Sequence, residues 1–194
     1  MRLKLTKRDA LIIVDVQRDF CPGGALAVPN GDAVVEPLNR YIGPFKSNGL
    51  PIIATRDWHP PNHISFRERG GPWPPHCVQG TPGAEFHPTL ELPEDAIIIS
   101  KATDPDSEAY SGFAGTGLET LLKERGITRV FVGGLATDYC VKMTVLDALA
   151  FGFTTFLLED AIRGVDVNPG DSERAVDEML SNGAIAITIG DLGL

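Results

Sequence analysis

Six short apolar segments alternate with longer amphipathic stretches along the chain. The apolar segments are rich in valine and isoleucine and do not alternate with polar residues. Strands that are buried on both faces have this pattern, because helices cover both surfaces of a parallel sheet. The predicted strands cover residues 10–14, 52–55, 96–100, 130–132, 154–158 and 185–189.

The stretches between the apolar segments predict four helices, at 31–48, 117–125, 138–151 and 171–182. The first has apolar residues at helical spacing, but Pro37 and Pro44 disfavour a regular helix there and leave its ends uncertain. Alternation of strands with helices predicts an α/β fold with right-handed crossovers. The 194 residues fit one domain, 1–194, or at most two small ones.

One segment, 57–93, departs from this alternation. It is rich in proline and contains all four histidines of the chain. A loop of this length inside a compact domain is usually functional. The alternative is a poorly ordered insertion, which is disfavoured because Trp58, Phe66, Trp73 and Phe86 can pack against the rest of the domain.

Composition narrows the classes of function. The chain has 17 Lys and Arg against 26 Asp and Glu, and its formal net charge is −9. Such a surface repels nucleic acids and anionic membranes, so neither is expected as a partner. No apolar run reaches the roughly 20 residues of a membrane helix. The N-terminus has a basic start and a short apolar run, but no small-residue cleavage site follows, so a signal peptide is not expected. Three cysteines do not make a disulfide framework, which favours a reducing cytoplasm. Assembly into homo-oligomers is left open.

Reactive side chains follow four of the predicted strands. Asp15 follows the first, Asp57 and His59 the second, Lys101 the third, and Cys140 lies where the fourth leads into a helix. Ligands of parallel α/β sheets bind beyond the carboxyl ends of the strands. Each of these residues alone has an ordinary structural explanation, such as a turn, a solvated lysine or a buried thiol. Their joint placement at one edge of the sheet favours an active site.

A thiol at a helix N-terminus beside a lysine is expected to favour the thiolate form. Asp15 could accept the proton of Cys140, and the result is a nucleophile with a carboxylate base. Glycines at 133 and 134 let backbone N–H groups approach a developing oxyanion. Cys21 and Cys77 have no charged partner visible in the sequence, and we interpret them as structural.

The long loop also has the composition of a metal site. In an extended segment, Asp57 and His59 project to one side and can chelate a divalent ion, with a third ligand from His63 or His76. Carboxylate and imidazole ligands suit zinc, iron or manganese. His87 is expected only to form hydrogen bonds. Three aromatic side chains could form walls for a small planar ligand: Phe20, Trp73 and Tyr110.

Several motifs of the chain resemble the nicotinamidase/pyrazinamidase branch of the isochorismatase-like hydrolases, over nearly the whole length. The motifs are Asp15-Val-Gln-Arg-Asp-Phe20, Thr55-Arg-Asp-Trp-His-Pro-Pro-Asn-His63, Trp73-Pro-Pro-His-Cys-Val-Gln79, Ser100-Lys101, Ala109-Tyr-Ser-Gly-Phe113 and Gly134-Leu-Ala-Thr-Asp-Tyr-Cys140. The resemblance implies a Rossmann-like, doubly wound sheet of six parallel strands flanked by helices.

The same resemblance implies roles for individual residues. Asp15, Lys101 and Cys140 would form a catalytic triad, and the backbone N–H groups of Ala136 and Cys140 an oxyanion hole after a cis Leu135–Ala136 bond. One divalent metal ion, with zinc favoured over iron or manganese, would be held by three side chains and, in some members, a fourth that aligns with His63. The three ligands are Asp57, His59 and His76.

The function implied is hydrolysis of nicotinamide to nicotinate and ammonia through a cysteine thioester, with pyrazinamide as a further substrate, in NAD salvage. Three alternatives remain. The first is an isochorismatase-type or carbamoyl-amide hydrolase of the same fold, which generally lacks the metal ligands. The second is a metal hydrolase in which metal-bound hydroxide attacks and Cys140 takes no part. The third is a binding module for a metal or a small ligand, without turnover.

Overall fold

The computed structural model describes residues 2–193, so Met1 and Leu194 of the predicted domain lie outside it. Six parallel strands form one sheet in the order β3-β2-β1-β4-β5-β6. The strands are β1 Asp9–Val14, β2 Ile52–Asp57, β3 Ile97–Lys101, β4 Arg129–Leu135, β5 Thr154–Arg163 and β6 Ile185–Ile187. The prediction of a doubly wound α/β fold is confirmed.

Helices cover both faces of the sheet, and each face has its own apolar core. The helices are α1 Val35–Ser47, α2 Leu118–Glu124, α3 Lys142–Ala150 and α4 Asp171–Ser181. Along β1 the side chains alternate: Leu11 packs into the core that contains α1, and Ile12 packs into the core that contains the other three helices. The strands are therefore buried on both sides, which explains their uninterrupted apolar sequence.

Some strands and helices begin or end at other residues than predicted, where glycine or charged residues interrupt the apolar pattern. β4 continues to Leu135 through a glycine pair, and β5 continues to Arg163 through two acidic residues. The first predicted helix opens as a 3-10 turn, Gly31–Val34, before α1. Pro37 is tolerated because it lies in the first turn of α1, where a backbone N–H has no intrahelical partner.

The segment 57–93 is folded against the sheet edge and against the segment after β1. Short parallel bridges join His59 to Val78 and Phe66 to Trp73, and an antiparallel bridge joins Gln17 to Phe86. Phe66 is fully buried. Across residues 2–193, no helix combines the length and apolar character needed to span a bilayer.

Candidate active site

Three adjacent strands end side by side and present three charged groups. Asp57 and Lys101 are the last residues of β2 and β3 and are register partners. Asp15 directly follows β1, and its φ of 49° turns the chain at that point. All three side chains are buried. These groups lie at the edge where ligands of parallel α/β sheets bind.

Lys101 connects the groups of the site. Its ammonium lies 2.9 Å from Asp15 Oδ2 and 3.4 Å from Cys140 Sγ, and it forms a short ion pair with Asp57 Oδ1. It also donates to the carbonyl of Ala109 at 3.2 Å. A buried ammonium needs this many partners, because water is excluded from it.

Cys140 lies in a π-helical turn, Thr137–Val141, between β4 and α3. A Cys140 sulfur, an Asp15 oxygen and an Asp57 oxygen all lie within 4.8 Å of one another. The peptide bond between Leu135 and Ala136 is cis, as the resemblance implies. The strand ends and this turn thus bring together the three residues for which we predicted a triad.

The electrostatics of the triad differ from the sequence-based expectation of a ready thiolate. Burial raises the pKa of Cys140 well above its ordinary value; Lys101 opposes this shift, and Asp15 and Asp57 add to it. Burial also raises the pKa of Asp15, against the effect of Lys101. Burial alone would lower the pKa of Lys101, but the two carboxylates outweigh it and raise that pKa. Two carboxylates share one ammonium, so a thiolate would be a third anion in the site.

Asp57, His59 and His76 offer one ligand atom each within 4.8 Å of one another, and all three side chains are buried. Nδ1 of His59 is bonded to the carbonyl of His76, and Nδ1 of His76 to that of Pro74, at 2.9 and 2.8 Å. Such hydrogen bonds to carbonyl oxygens fix the tautomer in which Nε2 is free for a metal.

The charges of Asp57, His59 and His76 also suit a metal. Burial, with the neighbouring His76, lowers the pKa of His59 to about 3, so its imidazole is neutral. Asp57 directs one oxygen to Lys101, and its other oxygen lies 4.0 Å from His76 Nε2. The donor set can therefore hold a divalent metal ion.

The other two histidines are placed differently. His63 is buried beside His59, with a ring-centroid distance of 4.3 Å, but both of its ring nitrogens are engaged. Nδ1 is bonded to the Ser65 hydroxyl at 2.7 Å and Nε2 to the Ser107 carbonyl at 3.0 Å. Coordination of a metal by His63 would require one of these two bonds to break. His87 lies in the loop away from these ligands, and its Nδ1 bonds Thr89.

A cleft with an empty volume of about 370 Å³, including its open mouth, reaches Cys140. All three aromatic residues that we predicted as walls line it, and Trp73 Nε1 donates to the Tyr110 hydroxyl at 3.1 Å. Ala136, Asp57 and His76 also line the cleft, so Cys140 and two of the three candidate metal ligands face one space. The full lining is Phe20, Leu26, Val28, Asp57, Trp73, His76, Tyr110, Ala136, Tyr139, Cys140 and Val165.

Sequence reasoning missed several residues of the site. Tyr139 lies within a quoted motif, yet only the structure shows it packed edge-to-face on Trp73 at a centroid distance of 5.2 Å. Thr55 and Gln17 are buried polar residues beside Asp57 and Asp15, and their position next to those acids is the signal that could have identified them. Leu26, Val28 and Val165 carried no signal in the sequence.

Comparisons with known proteins agree with this geometry. The family model described as the isochorismatase domain matches residues 9–191. The nicotinamidase of Escherichia coli (strain K12) is 42% identical, over 94% of this chain and 95% of its own length. The crystal structure of the pyrazinamidase of Pyrococcus horikoshii in complex with zinc is 60% identical, with a TM-score of 0.90 over 93% of this chain and 99% of that one.

A further solved structure holds a small ligand. PnC1 from L. infantum, in complex with nicotinate, is 37% identical, with a TM-score of 0.91 over 99% of this chain and 98% of that one. Similarity of this extent, in sequence and in fold, goes beyond a shared architecture. The chain belongs to the isochorismatase family.

Proposed function

We propose that this protein is a nicotinamidase, which hydrolyses nicotinamide to nicotinate and ammonia and also accepts pyrazinamide. One observation carries the proposal. The sulfur of Cys140 and the ligands Asp57 and His76 face the same narrow, aromatic-lined cleft, which suits a flat ring with an amide at one end and a basic nitrogen at the other. The nicotinamidase and pyrazinamidase relatives support the same substrates.

The metal ion we propose is zinc, because two imidazoles and one carboxylate suit it and because a relative at 60% identity was solved with zinc. Asp57, His59 and His76 would hold it. When bound, the metal would supply a Lewis acid for a basic nitrogen of the substrate. Phe20 and Trp73 enclose the ring.

In the first half of the reaction, Asp15 takes the proton of Cys140 and the sulfur attacks the amide carbon. The backbone N–H groups of Ala136 and Cys140 hold the oxyanion, and one such donor contributes about 2.7–4 kcal/mol. Asp15 then returns the proton to the departing ammonia, which leaves a thioester on Cys140.

In the second half, Asp15 activates a water molecule that hydrolyses the thioester and releases nicotinate. Lys101 stays charged throughout, since two carboxylates and a sulfur surround its ammonium. It orients Asp15 and offsets the negative charge that develops on sulfur as the proton leaves.

Replacement of Cys140 tests the covalent route. Cys140→Ala should abolish ammonia release from nicotinamide while the fold is retained, as judged by circular dichroism. Cys21→Ala, a buried cysteine outside the cleft lining, is the matched control and should keep its activity. Substantial turnover by Cys140→Ala would instead favour attack by metal-bound hydroxide.

A second measurement tests how the substrate docks. Removal of the metal should weaken the binding of nicotinate, measured by calorimetry, because its ring nitrogen loses an anchor. Equal affinity of the metal-free and metal-loaded proteins would exclude a docking role for Asp57, His59 and His76.

A further inference from the structure

Thr55 places a buried hydroxyl directly beside the carboxylate of Asp15. The parallel pairing of β1 and β2 brings the two residues together, and the Asp15 backbone N–H donates to the Thr55 carbonyl at 3.2 Å. The Thr55 side chain is fully buried, and its Oγ1 donates to Asp15 Oδ1 at 2.7 Å. The hydroxyl of a buried threonine commonly forms a hydrogen bond with a nearby backbone group. Here it instead bonds the carboxylate that we propose as the catalytic base.

The two oxygens of Asp15 therefore differ. Oδ1 accepts the Thr55 hydroxyl. Oδ2 forms an ion pair with Lys101 Nζ at 2.9 Å. The same ammonium lies 3.4 Å from Cys140 Sγ, and an oxygen of Asp15 lies within 4.8 Å of that sulfur.

The surroundings of Thr55 fix the direction of its hydroxyl. A Cβ added to Gly112 would lie 2.9 Å from Thr55 Cγ2, so the threonine methyl fills the space that this glycine leaves. Gly112 is itself held by a hydrogen bond from its N–H to Thr144 Oγ1 at 2.9 Å. With the methyl packed there, the stiff χ1 of a β-branched residue leaves the hydroxyl only the direction towards Asp15.

We propose that Thr55 is a positioning residue that assigns Oδ2 of Asp15 as the acceptor of the Cys140 proton. The inference deepens the proposed hydrolase mechanism and rests on it. In the step concerned, the S–H bond of Cys140 breaks, its electron pair stays on sulfur, and an O–H bond forms at Oδ2. Occupation of Oδ1 by Thr55 keeps the carboxylate from rotating and from taking the proton on the wrong oxygen.

Replacement of the hydroxyl by a methyl group tests the assignment kinetically. Thr55→Val should lower kcat for nicotinamide by about 10-fold to 100-fold, the size of effect that a misplaced catalytic group produces. KM should change by less than about twofold, since Thr55 does not line the cleft. The solvent deuterium isotope effect on kcat should rise, because proton transfer becomes slower than the other steps.

Two further variants separate positioning from packing. Thr55→Ser keeps the hydroxyl and should recover most of the activity. Thr155→Val removes the hydroxyl of another fully buried strand threonine, which donates to the Phe153 carbonyl at 3.0 Å, and should leave kcat unchanged. If Thr55→Val does not fold, Thr55→Ala replaces it. A folded Thr55→Val or Thr55→Ala with wild-type kcat, or a Thr55→Ser that is equally slow, overturns the assignment.

A second readout does not depend on the substrate. The rate of Cys140 alkylation by iodoacetamide reports proton removal from the free thiol, and it should fall about tenfold in Thr55→Val and recover in Thr55→Ser. Failure of the wild type to hydrolyse nicotinamide would refute the proposed function, and the alkylation series would still decide the role of Thr55. Equal alkylation rates in all variants would refute that role.

Discussion

The carboxamide of Gln17 bonds three backbone groups in two segments that lie far apart in the sequence. Its Nε2 donates to the carbonyls of Asp57 and Ala84 at 2.8 and 2.9 Å, and its Oε1 accepts the Asp57 N–H at 2.8 Å. The Gln17 backbone N–H also donates to the Asp15 carbonyl at 2.8 Å. This fully buried residue therefore fixes the backbone of a proposed metal ligand relative to that of the proposed base.

Gln17→Ala should weaken metal binding and stability together. Loss of the carboxamide leaves buried backbone groups of Asp57 and Ala84 without partners, which costs about 3 kcal/mol of the free energy of unfolding. Removal of a residue that supports a metal ligand typically raises the metal dissociation constant by about 10-fold to 100-fold. Urea denaturation measures the first effect, and competition with a chelator measures the second.

Gln79→Ala is the matched control for this prediction. Gln79 is partly buried and donates once, to the Trp58 carbonyl at 2.8 Å, so its loss should cost no more than about 1 kcal/mol and leave metal affinity unchanged. Equal metal affinities in Gln17→Ala and the wild type would show that Asp57 is held by its strand alone.

At the scale of single residues, the sequence predicted the site residues that lie at the ends of strands. It missed the residues whose hydrogen bonds hold those site residues in place. Asp15, Asp57 and Lys101 were identifiable because the end of an apolar run marks the carboxyl edge of the sheet. The roles of Thr55 and Gln17 depend on strand register and on which side chain faces which, and neither follows from an apolar pattern. The raised pKa of Cys140 was also missed, because the degree of burial and the second carboxylate, Asp57, outweigh Lys101.

At the scale of elements, β4 lies against β1 at Gly134 with no room for a side chain. Its φ is 123°, and a Cβ there would lie 2.1 Å from the Val14 carbonyl oxygen. Only glycine fits, and the approach brings the end of β4, which leads to Cys140, next to the end of β1, which leads to Asp15. The prediction stopped this strand at residue 132 because glycine disfavours strands in general, whereas here tight packing requires it.

Two glycine substitutions should have very different effects. Gly43 is exposed in α1 with open space around it, but it precedes Pro44, whose ring disfavours a helical residue with a Cβ at that position. Gly43→Ala should therefore change the free energy of unfolding by no more than about 1 kcal/mol and leave kcat unchanged. Gly134→Ala should lower it by about 3 kcal/mol or more, through steric overlap and backbone strain, and should reduce activity. Thermal denaturation and ammonia release test both. A stable, active Gly134→Ala would show that β1 and β4 can separate without harm to the triad.

At the scale of the molecule, the fold divides the site between a rigid sheet and a long covering segment. The strands supply Asp57 and Lys101, whereas His59 and His76 come from the segment 57–93. The hydrogen bonds of this segment form turns and isolated bridges and no continuous ladder. The His59 ring is bonded to the His76 carbonyl at 2.9 Å. The sequence predicted a functional segment of this length, but not the fold of its backbone, because isolated bridges and proline turns leave no periodic pattern.

A bound metal should therefore stabilise the whole domain and order this segment in particular. At a free metal concentration of 100 times the dissociation constant, binding adds about 2.7 kcal/mol to the free energy of unfolding. For a chain of this size, chelation should then lower Tm by about 5–10 °C. Hydrogen exchange should show lost protection in 57–93, with β1 and β4 protected as before, because those strands lie in the centre of the sheet.

His76→Ala separates metal binding from a general effect of the chelator. The substitution removes one of the three proposed metal ligands, while Asp57 remains paired with Lys101. The Tm of the His76→Ala protein should therefore not respond to chelator. An equal fall in Tm in both proteins would place the stabilising ion elsewhere. No fall in the wild type, with metal loss verified by elemental analysis, would mean that the hydrogen bonds of the segment already hold the ligands in place. The metal would then act only in substrate binding, and the hydrogen bonds of the protein itself would order the site.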